Sequence, residues 1–362
     1  MSRRGLTKDL ELLEKVVIAT FRHEGQPSFR SATEVGKELG LSTQAVVSLL
    51  RRAFELGIVA PLLALPGETV EIDRLERALK ERFGLREVLL VPGLPQIQNP
   101  RDKSQRRALH TEIVRAMARR VVKYLDSIID AAAVRQEETR RDGRKPDPFR
   151  LGVAWGRTMH LVAECLGQTA REARWADLHV LPIIGITSTL NTLPVEANVV
   201  AMDIARAYGG LSAQLPMPAF TEESCSIFLQ HHQVREMVRT IGTCDAVITG
   251  MGPILDDVRD MTVSNDPILN ERIRESAHRS GSIGEICGWL FDRKGQKVST
   301  TYEAVGLGLD GLREIARDPD RRVILVCGGD RLRFEPLKVA LRAGFASVLL
   351  SDTVTARYLV AE

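Results

Sequence analysis

The sequence predicts an α/β protein: an all-α helix-turn-helix unit at the N-terminus, then a doubly wound, mostly parallel sheet in the C-terminal half. Three observations carry this. The first 60 residues hold only helical signals, with caps and a glycine stop at the right places. From Leu151 onward, short apolar runs alternate with helical stretches, the pattern of βαβ units with helices on both faces. Glycine-rich or polar turns recur where those runs end, and ligands of such sheets sit beyond the C-terminal ends of the strands.

At 362 residues the chain suits two domains and not one core. With 44% apolar and 27% charged residues it belongs among folded globular proteins. No run of 18 apolar residues occurs, so no membrane span is expected. The opening MSRRGLTKDLELLEK lacks the apolar core of a secretory signal. The five cysteines, Cys165, Cys225, Cys244, Cys287 and Cys327, are scattered and odd in number, which argues against a disulfide framework and a structural zinc site. A cytoplasmic protein is expected. Net charge is only +3, but residues 101–150 carry 14 Lys or Arg against 8 Asp or Glu. That basic strip suits either phosphates or plain solvation.

The elements follow in order. Leu6–Phe21 reads as an amphipathic helix and Ser31–Leu39 as a second. Ser31 and Glu34 have capping-box spacing, and Gly40 supplies the left-handed stop. Ser42 caps a third helix to Leu56, before Gly57. Ala45, Val46, Leu49, Leu50, Ala53 and Phe54 form its apolar stripe. Gln44, Ser48, Arg51 and Glu55 lie opposite, with Thr43 and Arg52 nearer the flanks. Side chains of these types near a helix N-terminus pair with base edges or phosphates in a major groove. Ser42, Thr43, Gln44, Ser48, Arg51 and Arg52 are therefore the candidate DNA contacts.

An apolar LLAL run ends at a Pro66-Gly67 turn; a helix is expected from Glu71 to Phe83 and a strand over Glu87–Val91. PGLPQIQNPRDK reads as a linker. Residues 104–135 keep helical spacing through Leu109, Ile113, Met117, Val121, Leu125 and Ile128. Gln136 to Pro148 reads as an exposed loop. Strands are then expected at 151–155, 179–184, 245–250, 322–329 and 347–352. Helices are expected at Arg157–Leu166, Ala197–Tyr208, Phe334–Ala343 and Val354–Ala361.

Five turns close those strands: Gly156-Arg157-Thr158, Gly185-Ile186-Thr187-Ser188, Gly250-Met251-Gly252, Gly328-Gly329-Asp330-Arg331 and Ser351-Asp352-Thr353. The first sets a glycine, a cation and a hydroxyl at a helix opening, where N–H groups and the dipole favour an anion. Any one such turn is ordinary α/β geometry; their recurrence at consecutive strand ends predicts a pocket. Trp155 and Trp289 could line it, although core packing accounts for both. No dinucleotide fingerprint, Walker A sequence or GxSxG elbow is present. His231-His232 are adjacent helical residues that point to different faces, a poor metal pair. No cofactor, metal or catalytic residue is expected.

Seven blocks in order resemble the SorC family of sugar-responsive transcriptional regulators over nearly the whole length. They are LGLSTQAVVSLLRRAFELGIV, VAWGRTM, ANVVAMDIARAYGG followed by LPMPAF, CDAVITGMG, GSIGEICGWLFD, VCGGDRLRFEPLKVALRAG and LLSDTVTA. The resemblance implies a winged helix-turn-helix joined to a Rossmann-like domain similar to sugar-phosphate isomerases and deaminases. It implies a dimer or tetramer that binds double-stranded operator DNA under control of a sugar or phosphosugar. Effector contacts are implied for Gly156, Arg157, Thr158, the loop after Ile184, Glu285 and Asp352. With the turns above, the candidate effector set is Gly156, Arg157, Thr158, Gly185, Thr187, Ser188, Gly250, Gly252, Glu285, Gly329, Asp330, Arg331 and Asp352. Where the family commonly has a phosphate-contacting lysine, this chain has Leu332 between Arg331 and Arg333. An apolar Leu332 in the pocket leans toward an effector without phosphate; otherwise the neighbouring arginines take over its recognition.

The expected organisation is a DNA-binding domain over 1–92, a linker and connecting or oligomerisation helix over 93–150, and an effector domain over 151–362. The expected function is a ligand-gated DNA-binding regulator. An enzyme acting on sugar phosphates is the alternative, but Glu285 and Asp352 are isolated carboxylates with no acid/base partner in the sequence. A regulator with no small effector is a third reading.

Overall fold

The computed structural model describes residues 12, 15–17, 19–20, 22–23, 26–27, 30–55, 66–94, 103–168, 177–187, 195–222, 226–254 and 267–361. The chain divides into two compact units, Met1–Thr69 and Val70–Glu362.

In the first unit, helical residues at 12, 15–17 and 19–20 precede β1 (Arg22–His23) and β2 (Gln26–Pro27), which pair antiparallel. Helices α1 (Ala32–Leu39) and α2 (Thr43–Glu55) follow. Val16, Ala19, Val35 and Val46 form the core, with Leu39, Leu41, Leu49 and Leu50 packed against it. The hairpin corrects the expectation of helices alone: a two-residue ladder is too short to show alternation. The expected first helix lies partly, and the LLAL run wholly, outside the described residues.

Helix α3 (Pro66–Phe83), which begins earlier than expected, starts in the last four residues of the first unit and continues as the opening element of the second. Pro66-Gly67 starts this helix and is not a turn: proline lacks an N–H that the first helical position leaves unpaired anyway. The elements that follow are β3 (Glu87–Val91), α4 (Lys103–Arg141), β4 (Phe149–Val153), α5 (Arg157–Gln168), β5 (Leu178–Pro182), α6 (Ala197–Tyr208), β6 (Leu211–Ser212) and β7 (Phe220–Thr221). Next come α7 (Ser226–Leu229), α8 (His232–Ile241), β8 (Ala246–Gly250), β9 (Gly252–Pro253), α9 (Pro267–Arg279), β10 (Gly284–Ile286) and β11 (Trp289–Phe291). The chain ends with β12 (Glu303–Ala304), α10 (Leu309–Arg317), β13 (Arg322–Val326), α11 (Phe334–Arg342), β14 (Val348–Asp352) and α12 (Thr353–Ala361).

A seven-stranded sheet in the order β3-β14-β13-β8-β4-β5-β6 organises this unit, and every pairing is parallel. Its central strands are buried almost throughout, as a sheet covered on both faces requires. Two small antiparallel sheets, β9-β10-β11 and β7-β12, complete it.

Two expectations about organisation need correction. The strand Glu87–Val91, expected within a DNA-binding domain over 1–92, is an edge of the seven-stranded sheet, with Leu89 opposite Leu350. Val88, Leu90 and Val91 are buried there, and a lone strand could not have covered them. The helix expected as a connector over 104–135 runs from Lys103 to Arg141 and belongs to the same core. Ile113, Met117, Val121, Leu125 and Ile128 are buried, and the helix packs against α5, β3 and β14. That stripe is covered within the chain and gives no reason to invoke a second subunit. Nor does an exposed loop begin at Gln136. Its amide is buried and donates to the Asp147 and Asp177 carbonyls at 2.8 and 3.2 Å, while its oxygen accepts from the Asp177 N–H at 2.7 Å.

Candidate functional site

Two sets of residues emerge, one on α2 and one at the strand ends. The turn between α1 and α2 explains how α2 is presented. Ser31 and Glu34 form a complete capping box, the Ser31 N–H donating to Glu34 at 2.8 Å. The Ser31 hydroxyl, which donates to Glu34 at 2.7 Å, and then the Ser31 N–H hold the Glu34 carboxyl below its ordinary range. Gly40 closes α1 at φ 66°, and the Leu41 N–H returns to the Gly36 carbonyl at 2.8 Å. The return is so tight that a Cβ on Gly36 would lie 2.6 Å from the Leu41 oxygen. Ser42 then caps α2 through its hydroxyl, which accepts from the Ala45 N–H at 3.1 Å.

Ser42, Thr43, Gln44, Ser48 and Arg51 are all exposed on α2, whereas Val46 and Ala53 are buried. The Arg52 side chain lies outside the described residues. The Thr43 hydroxyl donates to that of Thr33 at 3.5 Å, bridging the two helices. Sequence reasoning missed Val47, which is 45% exposed. It sits at i+3 from Gln44 and i−4 from Arg51, at the margin of the same face, so the same periodicity identifies it. A valine among hydrogen-bonding groups suits a thymine methyl.

The strand ends of β4, β8, β13 and β14 bring most of the second set together. Gly156 adopts φ 103° and donates its N–H to the Val195 carbonyl at 2.8 Å. A Cβ on Gly250 would lie 3.8 Å from that of Thr158, so these two turns are neighbours. Thr158 is half-buried and Arg157 is exposed. Gly252 stands opposite Glu285 in the β9-β10 ladder, and a Cβ there would be 2.4 Å from Glu285 Oε1. Glu285 Oε2 accepts the Gly288 N–H at 2.8 Å. Desolvation raises the Glu285 carboxyl above its ordinary range, opposed by the Gly288 N–H, the Arg333 charge and the Gly252 N–H. Beside it Cys287 holds a left-handed φ of 50°, its sulfur 3.3 Å from the Thr249 hydroxyl. Burial pushes that thiol up to about 12. A thiol so protonated is no nucleophile.

Asp352 turns out to be a brace. It is fully buried and accepts from the Gly329 N–H at 2.7 Å, the Val354 and Thr355 N–H groups at 3.0 and 3.1 Å, and the Thr355 hydroxyl at 2.6 Å. Both oxygens are thus engaged within the protein, which caps α12 and fixes the Gly328-Gly329 turn. Gly328 has to be glycine, because a Cβ would lie 2.4 Å from Asp352 Oδ2. Gly329, at φ 70°, is held from the other side too: its carbonyl lies 3.1 Å from His110 Nδ1 on α4.

The 3₁₀ turn Arg331–Arg333 carries Leu332, the residue expected to line a pocket. Leu332 is 42% exposed and Arg331 is exposed as well. Arg333 turns inward with its side chain 16% exposed, and its Nη1 lies 3.3 Å from Asp330 Oδ2. Identity alone cannot say which residue of a turn faces inward, so the sequence did not single Arg333 out.

Gly185 and Thr187 form contacts of their own. A Cβ on Gly185 would be 2.4 Å from the Met217 carbonyl, and Thr187 is hydrogen-bonded through N–H (3.1 Å) and hydroxyl to the buried Glu196. Ser188 lies outside the described residues. Trp289 is core, while the half-buried Trp155 tilts against Phe220 at 5.8 Å between centroids. His231 precedes α8 and His232 begins it. Among the described residues no group of three or more His, Cys, Asp or Glu could hold a metal. Among them also, no helix is long and apolar enough to cross a membrane.

Comparison with known proteins places these features. Residues 68–361 match the Sugar-bind family, described as a sugar-binding domain. The chain is 26% identical over 338 residues to the transcriptional regulator YjhU of Escherichia coli K12, covering 92% of this chain and 90% of that protein. It is 21% identical to the transcriptional regulator LsrR of Enterobacter sp. 638, over 99% of this chain and 95% of that one. The full-length sorbitol operon regulator SorC of Klebsiella pneumoniae has a similar fold. Its TM-score is 0.66 at 19% identity, covering 97% of this chain and 99% of that one.

Proposed function

This chain belongs to the sugar-binding domain family, in keeping with its resemblance to SorC regulators, and from that premise we propose that it is a transcriptional regulator whose binding to operator DNA responds to a sugar or sugar-like effector. One observation carries the reading. A capped second helix of a helix-turn-helix offers Gln44, Val47, Ser48 and Arg51 to solvent in the same chain as a sugar-binding domain. The mechanism is linkage: an effector that favours one arrangement of the protein shifts the population able to bind DNA. The named relatives are transcriptional regulators, and we assign no catalytic residue. The site belongs in the cytoplasm, where operators are.

The test is selection from randomised duplex DNA, followed by anisotropy titration of the selected sequence. The Gln44→Ala/Arg51→Ala variant should bind at least about tenfold more weakly, since one bidentate base contact contributes about 1–3 kcal/mol. Undiminished affinity would remove α2 as the recognition helix. Reading two half-sites calls for two-fold symmetry, so the regulator acts as a dimer or tetramer. Light scattering at micromolar concentration should show one of these, and a monomer that protects a palindromic site would contradict it.

A further inference from the structure

The cluster at the ends of β8, β10 and β13 is unusual in its charge. Its inward cation is Arg333, and Arg333 already has partners. Asp330 Oδ2 lies 3.3 Å from its Nη1, with both side chains largely shielded, at 10% and 16% exposure. Asp330 cannot swing away cheaply, because its other oxygen caps the 3₁₀ turn by accepting the Leu332 N–H at 3.1 Å. The same guanidinium also acts on Glu285, which the Gly288 N–H holds at 2.8 Å and which leaves no room for a side chain at Gly252. Strand β9, which carries Gly252, packs directly on the 3₁₀ turn, so the three charged groups are parts of one construction.

The charge balance follows from these contacts. If Glu285 keeps its proton, Arg333 and Asp330 cancel; if it loses it, the cluster carries one net negative charge. In neither state does the cluster hold net positive charge, so a further anion that reached the remaining N–H groups of Arg333 would meet a cation already balanced by Asp330. A phosphate ester would bring up to two more negative charges into a partly desolvated space, a cost that only uncommitted cations or several N–H donors offset. Arg157 and Arg331 are exposed to water, where their charges are screened. What the cluster does offer is acceptors. Two carboxyl groups at fixed positions suit the hydroxyls of a polyol or an ammonium group, and Arg333 can donate to a ring or hydroxyl oxygen without leaving Asp330.

Building on the effector reading above, we propose that this site takes an uncharged or cationic polyhydroxy ligand (a free sugar, a sugar alcohol or an amino sugar) and discriminates against phosphate esters, with Asp330 setting that selectivity. Asp330 is a specificity residue in this account. Its carboxylate neutralises the cation that would otherwise receive a phosphate.

The experiment uses the full-length protein and a panel of hexoses, pentoses, their alditols and amino sugars, each beside its own phosphate ester, with inorganic phosphate as a further probe. Thermal shift locates a binding pair and calorimetry measures it. The free or amino sugar should bind at least about tenfold more tightly than its ester, and inorganic phosphate should leave Tm unchanged. Asp330→Asn keeps the oxygen that caps the turn and deletes the charge, so it should move the ester-to-free affinity ratio about tenfold toward the ester. A wild-type protein that prefers the ester overturns the proposal, as does an unaltered ratio in the folded D330N protein. The wild-type ratio decides alone should D330N fail to fold. Such a preference for esters leaves the effector reading standing. A panel that is silent throughout, against a protein that still binds its selected DNA, overturns both.

Discussion

Asp352 shows how far a residue's role depends on what surrounds it. Four donors converge on its carboxylate in a buried site, so truncation would strand three N–H groups and one hydroxyl away from water. Asp352→Ala should therefore cost about 3 kcal/mol or more, read as a lower urea midpoint at unchanged slope. A loss under about 1 kcal/mol would mean that the carboxylate does not hold the Gly328-Gly329 turn. In sequence, Asp352 is an acidic residue at a strand end, and an effector contact and an internal brace read alike. Hydrogen-bond partners separate them, and here the partners come from Gly329 and Thr355. The contrast with α2 is instructive. There the capping box, the Gly40 stop and the exposure of Gln44, Ser48 and Arg51 were all legible, because each follows from local periodicity and local caps.

At the scale of elements, Ala246–Gly250, Val348–Asp352 and Ala197–Tyr208 lie within a residue of where alternation placed them, while β13 stops at Val326, three residues before its expected end. The misjudged elements were β3 and α4, correct as a strand and a helix but attached to the wrong domain. β3 carries an ordinary apolar pattern, and nothing in five residues says which sheet they join; the register Leu89 opposite Leu350 does. This has a practical consequence. A fragment of residues 70–362 keeps α3 almost whole and keeps the edge strand, so it should melt cooperatively. A fragment of residues 93–362 removes β3, bares the hydrogen-bonding edge of β14 and uncovers Leu79, Leu85 and Leu90's share of the core. It should express poorly, melt lower by several degrees or aggregate, as followed by thermal denaturation and size-exclusion chromatography. Equal stability of the two fragments would return the strand to the N-terminal unit.

At the scale of the whole molecule, sequence determined that the chain has a helix-turn-helix in its N-terminal unit, though not the hairpin before it, and a parallel α/β unit. It also located the turns at the strand ends. These are properties of short windows: the period of apolar residues, the chemistry of caps, and glycine where φ is positive, as at Gly40, Gly156 and Gly329. The tertiary structure alone decided which side chain of Arg331, Leu332 and Arg333 turns inward. It decided that Arg333 pairs with Asp330 within electrostatic reach of Glu285, that Asp352 binds Gly329, and that the apolar stripe of α4 is satisfied within its own chain. The physical reason is sequence separation. Glu285 and Arg333, or Leu89 and Leu350, interact only after strands far apart in the chain have been laid side by side, and the energies that choose between alternatives there are those of desolvation and packing. Neither quantity belongs to a residue type, since both are set by the neighbours that the completed sheet supplies.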